Sequence, residues 1–175
     1  AAYIFVRSGS TWTQQQKLTA SDGQSGDQFG TSVHISGTSV IVGSTKNQSN
    51  GAAYIFTRSG STWTQQQKLT ASDGAANDYF GNSVVIDGDN AIIGAFLDGG
   101  SGSAYVFARS GSTWTQQGKL TASDAQSGDR FGIAVDINND YAIVGASFED
   151  AGGNESGAAY IFVRSGSTWT QQQKL

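Results

Sequence analysis

The chain has 175 residues, of which 37% are hydrophobic and 11% aromatic, with 24 glycines and no proline, methionine or cysteine. Only 14% are charged, the net charge is −4, and Lys and Arg are dispersed singly, which excludes the basic footprint of a nucleic-acid binder. The lack of cysteine excludes a disulfide framework and thiolate metal sites, and no apolar stretch is long enough for membrane insertion as a span.

The aromatic content and low charge argue for an ordered, turn-rich β protein rather than a disordered one. Residues 1–18 read as a hairpin, here hairpin B. Ala2-Tyr3-Ile4-Phe5-Val6 is apolar at both parities, as in a strand covered on both faces, and Ser8-Gly9-Ser10 turns. The return strand sets Trp12, Gln14, Gln16 and Leu18 on one face. Residues 19–30 form a polar connector ending Asp27-Gln28-Phe29-Gly30. Residues 31–43 form a second hairpin, A, in which Val33 and Ile35 alternate with polar neighbours before Val40-Ile41-Val42 returns. A loop from Ser44 to Gly51 leads to the next B.

This order recurs. Arg-Ser-Gly-Ser-Thr-Trp-Thr-Gln-Gln begins at Arg7, Arg58, Arg109 and Arg164, with Trp12, Trp63, Trp114 and Trp169 at its centres. The hairpins run B-A-B-A-B-A-B, no segment carries a helical period, and the chain reads as a single repeat domain. Its repeats are residues 1–51, 52–102 and 103–157, with a partial fourth at 158–175. Four short strands per period of about 51 residues suit a β-propeller blade or a coil of a β-solenoid. Solenoid coils are shorter, roughly 20–30 residues, and apolar strands covered on both faces favour the propeller. The expected fold is all-β: a β-propeller-type array of four-stranded antiparallel blades, three blades plus an extra outer hairpin.

Phe29-Gly30, Phe80-Gly81 and Phe131-Gly132 each open a strand. Each is followed by Ile41-Val42-Gly43, Ile92-Ile93-Gly94-Ala95 or Ile143-Val144-Gly145-Ala146, and then by Gly-x-Ala-Tyr-(Ile/Val)-Phe. The pattern resembles the FG-GAP repeat of integrin α chains and of secreted or surface bacterial proteins. That resemblance implies that hairpin A supplies the two inner strands of a blade and hairpin B the two outer ones. Many members carry a calcium loop between the inner strands, Asp-x-Asp-x-Asp-Gly-x-x-Asp. The corresponding turns here, Ser36-Gly37-Thr38-Ser39, Asp87-Gly88-Asp89-Asn90 and Asn138-Asn139-Asp140, are too short and too poor in acids for six to eight oxygen ligands. Asp87 and Asp89 read as turn formers. No cofactor and no metal site are assigned; the better place for calcium is the connector, with Asp27, Asp78 and Asp129 and, nearby, Asp22, Asp73 and Asp124.

The plain reading of Asp27, Asp78 and Asp129 is a side chain bonding loop N–H groups. The four tryptophans read as repeat-identical core, with a sugar-stacking platform as the alternative, and Gln14, Gln15 and Gln16 with their copies read as solvated. His34 is replaced by Val85 and Asp136 in the other repeats and has no partners for a catalytic triad, so no catalytic residue is assigned and no enzyme is expected. The copies differ in the loops from hairpin A to hairpin B, which run 44–50, 96–101 and 147–156. These offer Lys46, Asn47, Phe96, Asp98, Phe148, Glu149 and Asp150 as binding-loop residues, against drift in tolerant loops.

The expected function is a non-enzymatic scaffold for adhesion or protein recognition, extracellular or at a cell surface. The alternatives are a lectin-like propeller and a designed or recently amplified repeat without a natural ligand. The chain opens Ala-Ala-Tyr without Met or a visible signal peptide, which reads as a mature product or an excised piece. Four B hairpins against three A hairpins leave an arc with an uncovered face at each end. Self-association is therefore expected, through exchange between residues 1–18 of one chain and inner strands 133–145 of another, or else membership of a longer array.

Overall fold

The computed structural model describes residues 1–150, 153 and 155–175. Every predicted hairpin is present. The B hairpins are β1 (Ala2–Ser8) with β2 (Thr11–Leu18), β5 (Ala52–Ser59) with β6 (Thr62–Leu69), β9 (Ser103–Ser110) with β10 (Thr113–Leu120), and β13 (Ala158–Ser165) with β14 (Thr168–Lys174). The A hairpins are β3 (Phe29–Ser36) with β4 (Ser39–Ser44), β7 (Val84–Asp87) with β8 (Asn90–Ala95), and β11 (Phe131–Asn138) with β12 (Tyr141–Ala146). The second strand of each A pairs antiparallel with the first strand of the B that follows, giving sheets β3-β4-β5-β6, β7-β8-β9-β10 and β11-β12-β13-β14. The β1-β2 hairpin stands alone as a two-stranded sheet. Each blade thus joins the A hairpin of one sequence period to the B hairpin of the next.

The blades pack face to face, and each junction has its own apolar core. Between the first two blades, Ile41, Ala53, Ile55 and Leu69 meet Phe80, Val84, Ile86, Ile93, Tyr105 and Trp114. Between the second and third, Ile92, Val106 and Leu120 meet Phe131, Val135, Ile137, Val144 and Tyr160. The β1-β2 hairpin supplies only the outer half of such a face: Ala2, Ile4 and Leu18 pack on Tyr54, Phe56 and Trp63 of the first blade. Layered packing of this kind explains why strands of hairpin B are apolar at both parities, since an interior sheet buries both faces.

The Phe-Gly dipeptide sets the spacing. Phe80 stacks edge-on against Tyr105 and Phe107 of its own blade, 5.5 and 6.2 Å between ring centroids, and Phe29 and Phe131 make the same two contacts in theirs. Gly81 follows with φ +94, where its backbone crosses the preceding blade; a Cβ there would sit 2.5 Å from the Ala52 carbonyl oxygen. Only glycine meets both conditions.

Each B hairpin also carries a bulge. Ile4 faces Gln16 and Phe5 faces Gln14, which leaves Gln15 unpaired, and the same slip leaves out Gln66, Gln117 and Gln172. A bulge re-aims the side chains around it, and here the effect is specific. Gln16 Nε2 donates to the Trp63 carbonyl (2.7 Å) while the Trp63 N–H donates to Gln16 Oε1 (2.8 Å), and Trp63 Nε1 donates to Gln15 Oε1 (3.2 Å). Gln67 and Gln66 repeat all three bonds with Trp114. Gln65, Gln116 and Gln171 accept from the backbone N–H of Ser21, Ser72 and Ser123 in the preceding connectors. Gln15, Gln16, Gln66 and Gln67 therefore join one outer hairpin to the next, and Gln65, Gln116 and Gln171 tie an outer strand to a connector, whereas Gln14, Gln117, Gln172 and Gln173 are exposed, as the sequence suggests.

The tryptophans divide correspondingly. Trp63 and Trp114 are buried and Trp169 is half-buried, but Trp12 is 63% exposed. The expectation of core at all four positions fails at Trp12, whose indole has no outer hairpin packed against it as Trp63 and Trp114 have.

Candidate functional site

The loops between hairpins A and B and the connectors contain the sequence-predicted binding residues. Three of those residues occupy one structural position, directly after the inner sheet: Asn47, Asp98 and Glu149, all buried. Asp98 accepts from the Tyr105 hydroxyl (3.1 Å) and pairs with Lys119 (2.6 Å), and Glu149 pairs with Lys174 (2.7 Å). Asn47, neutral, instead donates to Asp27 (2.9 Å). These side chains face inward.

Asp98 and Glu149 join a unit that is repeated at each junction. The Tyr54 hydroxyl and Lys68 converge on Asp22, at 2.8 and 2.6 Å. Tyr105 and Lys119 converge on Asp73, at 2.9 and 2.6 Å, and Tyr160 and Lys174 on Asp124, at 2.9 and 2.6 Å. The aspartate lies in the connector of one unit; the tyrosine and lysine lie on outer strands of the next blade. Lys68, Lys119 and Lys174, through their hydrogen bonds, hold the carboxyls of Asp22, Asp73 and Asp124 below the ordinary aspartate range. Burial, and then the facing carboxylate, push the Tyr160 hydroxyl up to about 12 and raise Tyr54 and Tyr105 as well. Bonds to Asp124 and Glu149 raise Lys174. The oxygens of Asp22, Asp73 and Asp124 are thus matched by an ammonium and a phenol in each unit.

Asp27, Asp78 and Asp129 accept from the backbone N–H of Gln24, Ala75 and Gln126, at 2.6 to 2.8 Å, as their plain reading has it. Asp87 and Asp89 are not simple turn formers: Asp89 pairs with Arg109 (2.6 Å) and Asp87 accepts from the Asn139 N–H of the next blade (2.9 Å). His34 Nδ1 accepts from the Ile86 N–H (3.3 Å), across the first junction. Among the described residues, no three His or acidic side chains converge to hold a metal ion.

The outward-facing part of the loop face is aromatic and cationic. Lys46 Nζ lies 5.8 Å from the centroid of the Tyr79 ring, and that ring lies 5.2 Å from Phe96. The Arg130 guanidinium lies 4.0 Å above the Phe148 ring. Lys46, Leu97 and Asp150 are exposed and Phe96 and Phe148 half-exposed. Tyr79 and Arg130 were missed by the sequence reading. They take the one variable place in Asp-x-Phe-Gly, where Gln28 stands in the first copy, and all three have φ +59. Variation at one site of an otherwise constant tetrad is the signal that finds them. Ala151, Gly152 and Asn154 of the third loop lie outside the described residues.

The stacked four-stranded blades, the Phe-Gly crossing and the loop face define a repeat protein of propeller type. A family model described as the FG-GAP repeat matches residues 12–56, 63–107 and 114–162, and the chain belongs to that family. No curated protein matches it. No helix of the described residues is long and apolar enough to cross a membrane.

Proposed function

We propose that the protein is a non-enzymatic recognition scaffold, extracellular or at a cell surface, that binds a protein partner through its loop face. FG-GAP repeats are found in adhesion-type proteins and usually in extracellular or surface ones. The observation that carries the reading is the division of variability. The blade junctions repeat most of their contacts, the Tyr-Asp-Lys units and the Phe-Gly packing among them, while residues 46, 79, 96, 97, 130 and 148 differ between copies and gather outward-facing cations and aromatics on one face. Tyr, Phe and Arg are the side chains that carry most energy in protein interfaces. The lectin alternative is weaker because Trp63 and Trp114, its stacking platform, are buried. Calcium is not required by the reading.

The test is binding of the purified chain to a panel of extracellular proteins and to a glycan array. A protein ligand is expected, with affinity falling at least about ten-fold in Phe96→Ala and Phe148→Ala at unchanged melting temperature. Binding to glycans alone, or protein binding indifferent to both changes, would refute the proposal.

A further inference from the structure

At the β1 end of the array runs an apolar groove of about 580 Å³, lined among others by Tyr3, Ile4, Phe5, Val33, Ile35 and Val40. Val33 and Ile35 are 60% and 57% exposed. Their counterparts, Val84 and Ile86 in the second blade and Val135 and Ile137 in the third, are buried in the junction cores. What covers them there is the inner hairpin of the preceding blade: Ile41 shares a core with Val84 and Ile86, and Ile92 with Val135 and Ile137. The groove therefore lies where, at the other two blades, the A hairpin of the preceding blade sits, and β1 beside it pairs only with β2 among the described strands. A small apolar ligand would fill the volume and leave the other edge of β1 unsatisfied.

We infer that the groove is an interaction surface for a second copy of this chain, which seats its β11-β12 hairpin there by exchanging its own outer hairpin, residues 158–175, for residues 1–18 of the first. The two outer hairpins are identical in sequence. The register of β12 on β13 therefore transfers residue for residue: Tyr141 moves from Val163 to Val6, Ala142 from Phe162 to Phe5, Ile143 from Ile161 to Ile4 and Val144 from Tyr160 to Tyr3. Strand pairing is conserved in the exchange, and coverage of the groove is gained. Ile143, exposed in the single chain, is the counterpart of Ile41 and Ile92, so it arrives opposite Val33 and Ile35. Asp136 stands where His34 stands in the first blade, and its carboxylate takes the Ile35 N–H as His34 takes that of Ile86. The contact is head-to-tail, so copies close a ring or run on as a filament. This inference is independent of the loop-face reading.

The experiment mixes two singly substituted chains, Val6→Cys and Tyr141→Cys, under mild oxidation; the protein has no other cysteine. Light scattering of the unsubstituted chain at micromolar concentration is expected to give at least twice 18.2 kDa, and the mixture is expected to yield a covalent heterodimer. A folded monomer at all concentrations overturns the inference, and so does an oligomer in which the two cysteines do not join, which would mean docking without exchange. A second variant, Val33→Asp with Ile35→Asp, alters residues exposed in the single chain. It is expected to shift the protein to monomer with its circular dichroism unchanged; persistence of the oligomer would count against the groove.

Discussion

Trp12, Trp63, Trp114 and Trp169 share one nonapeptide yet have different surroundings, and the surroundings set what each is worth. Trp114 is enclosed by the preceding hairpin and its indole Nε1 donates to Gln66, so Trp114→Ala, which keeps the two backbone bonds to Gln67, should cost about 3–5 kcal/mol from lost packing and that one bond. Trp12→Ala in dilute protein should stay within about 0.5 kcal/mol, since its side chain faces solvent. Urea denaturation of both variants checks the contrast, and equal losses would contradict it. The Tyr-Asp-Lys units predict a pH profile. Asp22, Asp73 and Asp124 have lowered folded values, so their contribution is present above the ordinary aspartate range and lost as pH falls through the lowered value. Tyr160 and Lys174 have raised values, so theirs is present below the ordinary tyrosine and lysine range and lost at higher pH. The melting temperature should be flat from roughly pH 5 to 9 and fall on both sides. Asp73→Asn should shallow the acid limb; an unchanged slope would show that the unit does not stabilise the fold.

Between outer hairpins the glutamine bonds form a ladder with one gap. Gly118 occupies the position of Gln16 and Gln67, and the junction of the second and third blades lacks the bonds to the Trp169 backbone that those residues make to Trp63 and Trp114. Trp169 Nε1 is buried without a hydrogen-bond partner among the described residues. A Cβ on Gly118 would meet nothing within 4 Å. Gly118→Gln should therefore complete the ladder and stabilise the protein by about 1–2 kcal/mol, from two restored bonds and the loss of a strand glycine. Denaturant titration reads this, and a neutral or destabilised variant would show that the ladder is incidental. The opposite change in the turn that leads into an inner strand, Gly81→Ala, combines a strained φ of +94 with a clash on the Ala52 carbonyl. It should destabilise by at least about 1–3 kcal/mol.

As a whole, the molecule is a row of units, each in contact with its neighbours, so stability is a sum over junctions rather than a property of one core. The middle sheet, β7-β8-β9-β10, has a complete junction on each face, whereas the β1-β2 hairpin has half of one. In the single, unassociated chain hydrogen exchange should then be slowest in β8 and β9 and fastest in β1, with β12 intermediate. Uniform protection across the three blades would mean that the array unfolds as one block.

Much of this architecture was legible in the sequence because repetition amplifies weak local signals. A single Phe-Gly or a single apolar pentad says little, but three and four copies in phase fix the hairpins, their order and the FG-GAP assignment. Junction chemistry was not legible. Whether Gln16 is solvated or bonded to Trp63, 47 residues away, depends on how one outer hairpin lies on the next. The same holds for Asp98 and Glu149, acids in a variable loop that turn inward to lysines on the outer strand. Sequence alone determined the strands, the turns and the repeat, since these follow from the alternation of side chains and from glycine. Only the tertiary structure decided which identical residues are buried, because burial depends on the neighbouring blade: Trp12 and Trp114 share one nonapeptide, and one of them has a hairpin to lie on.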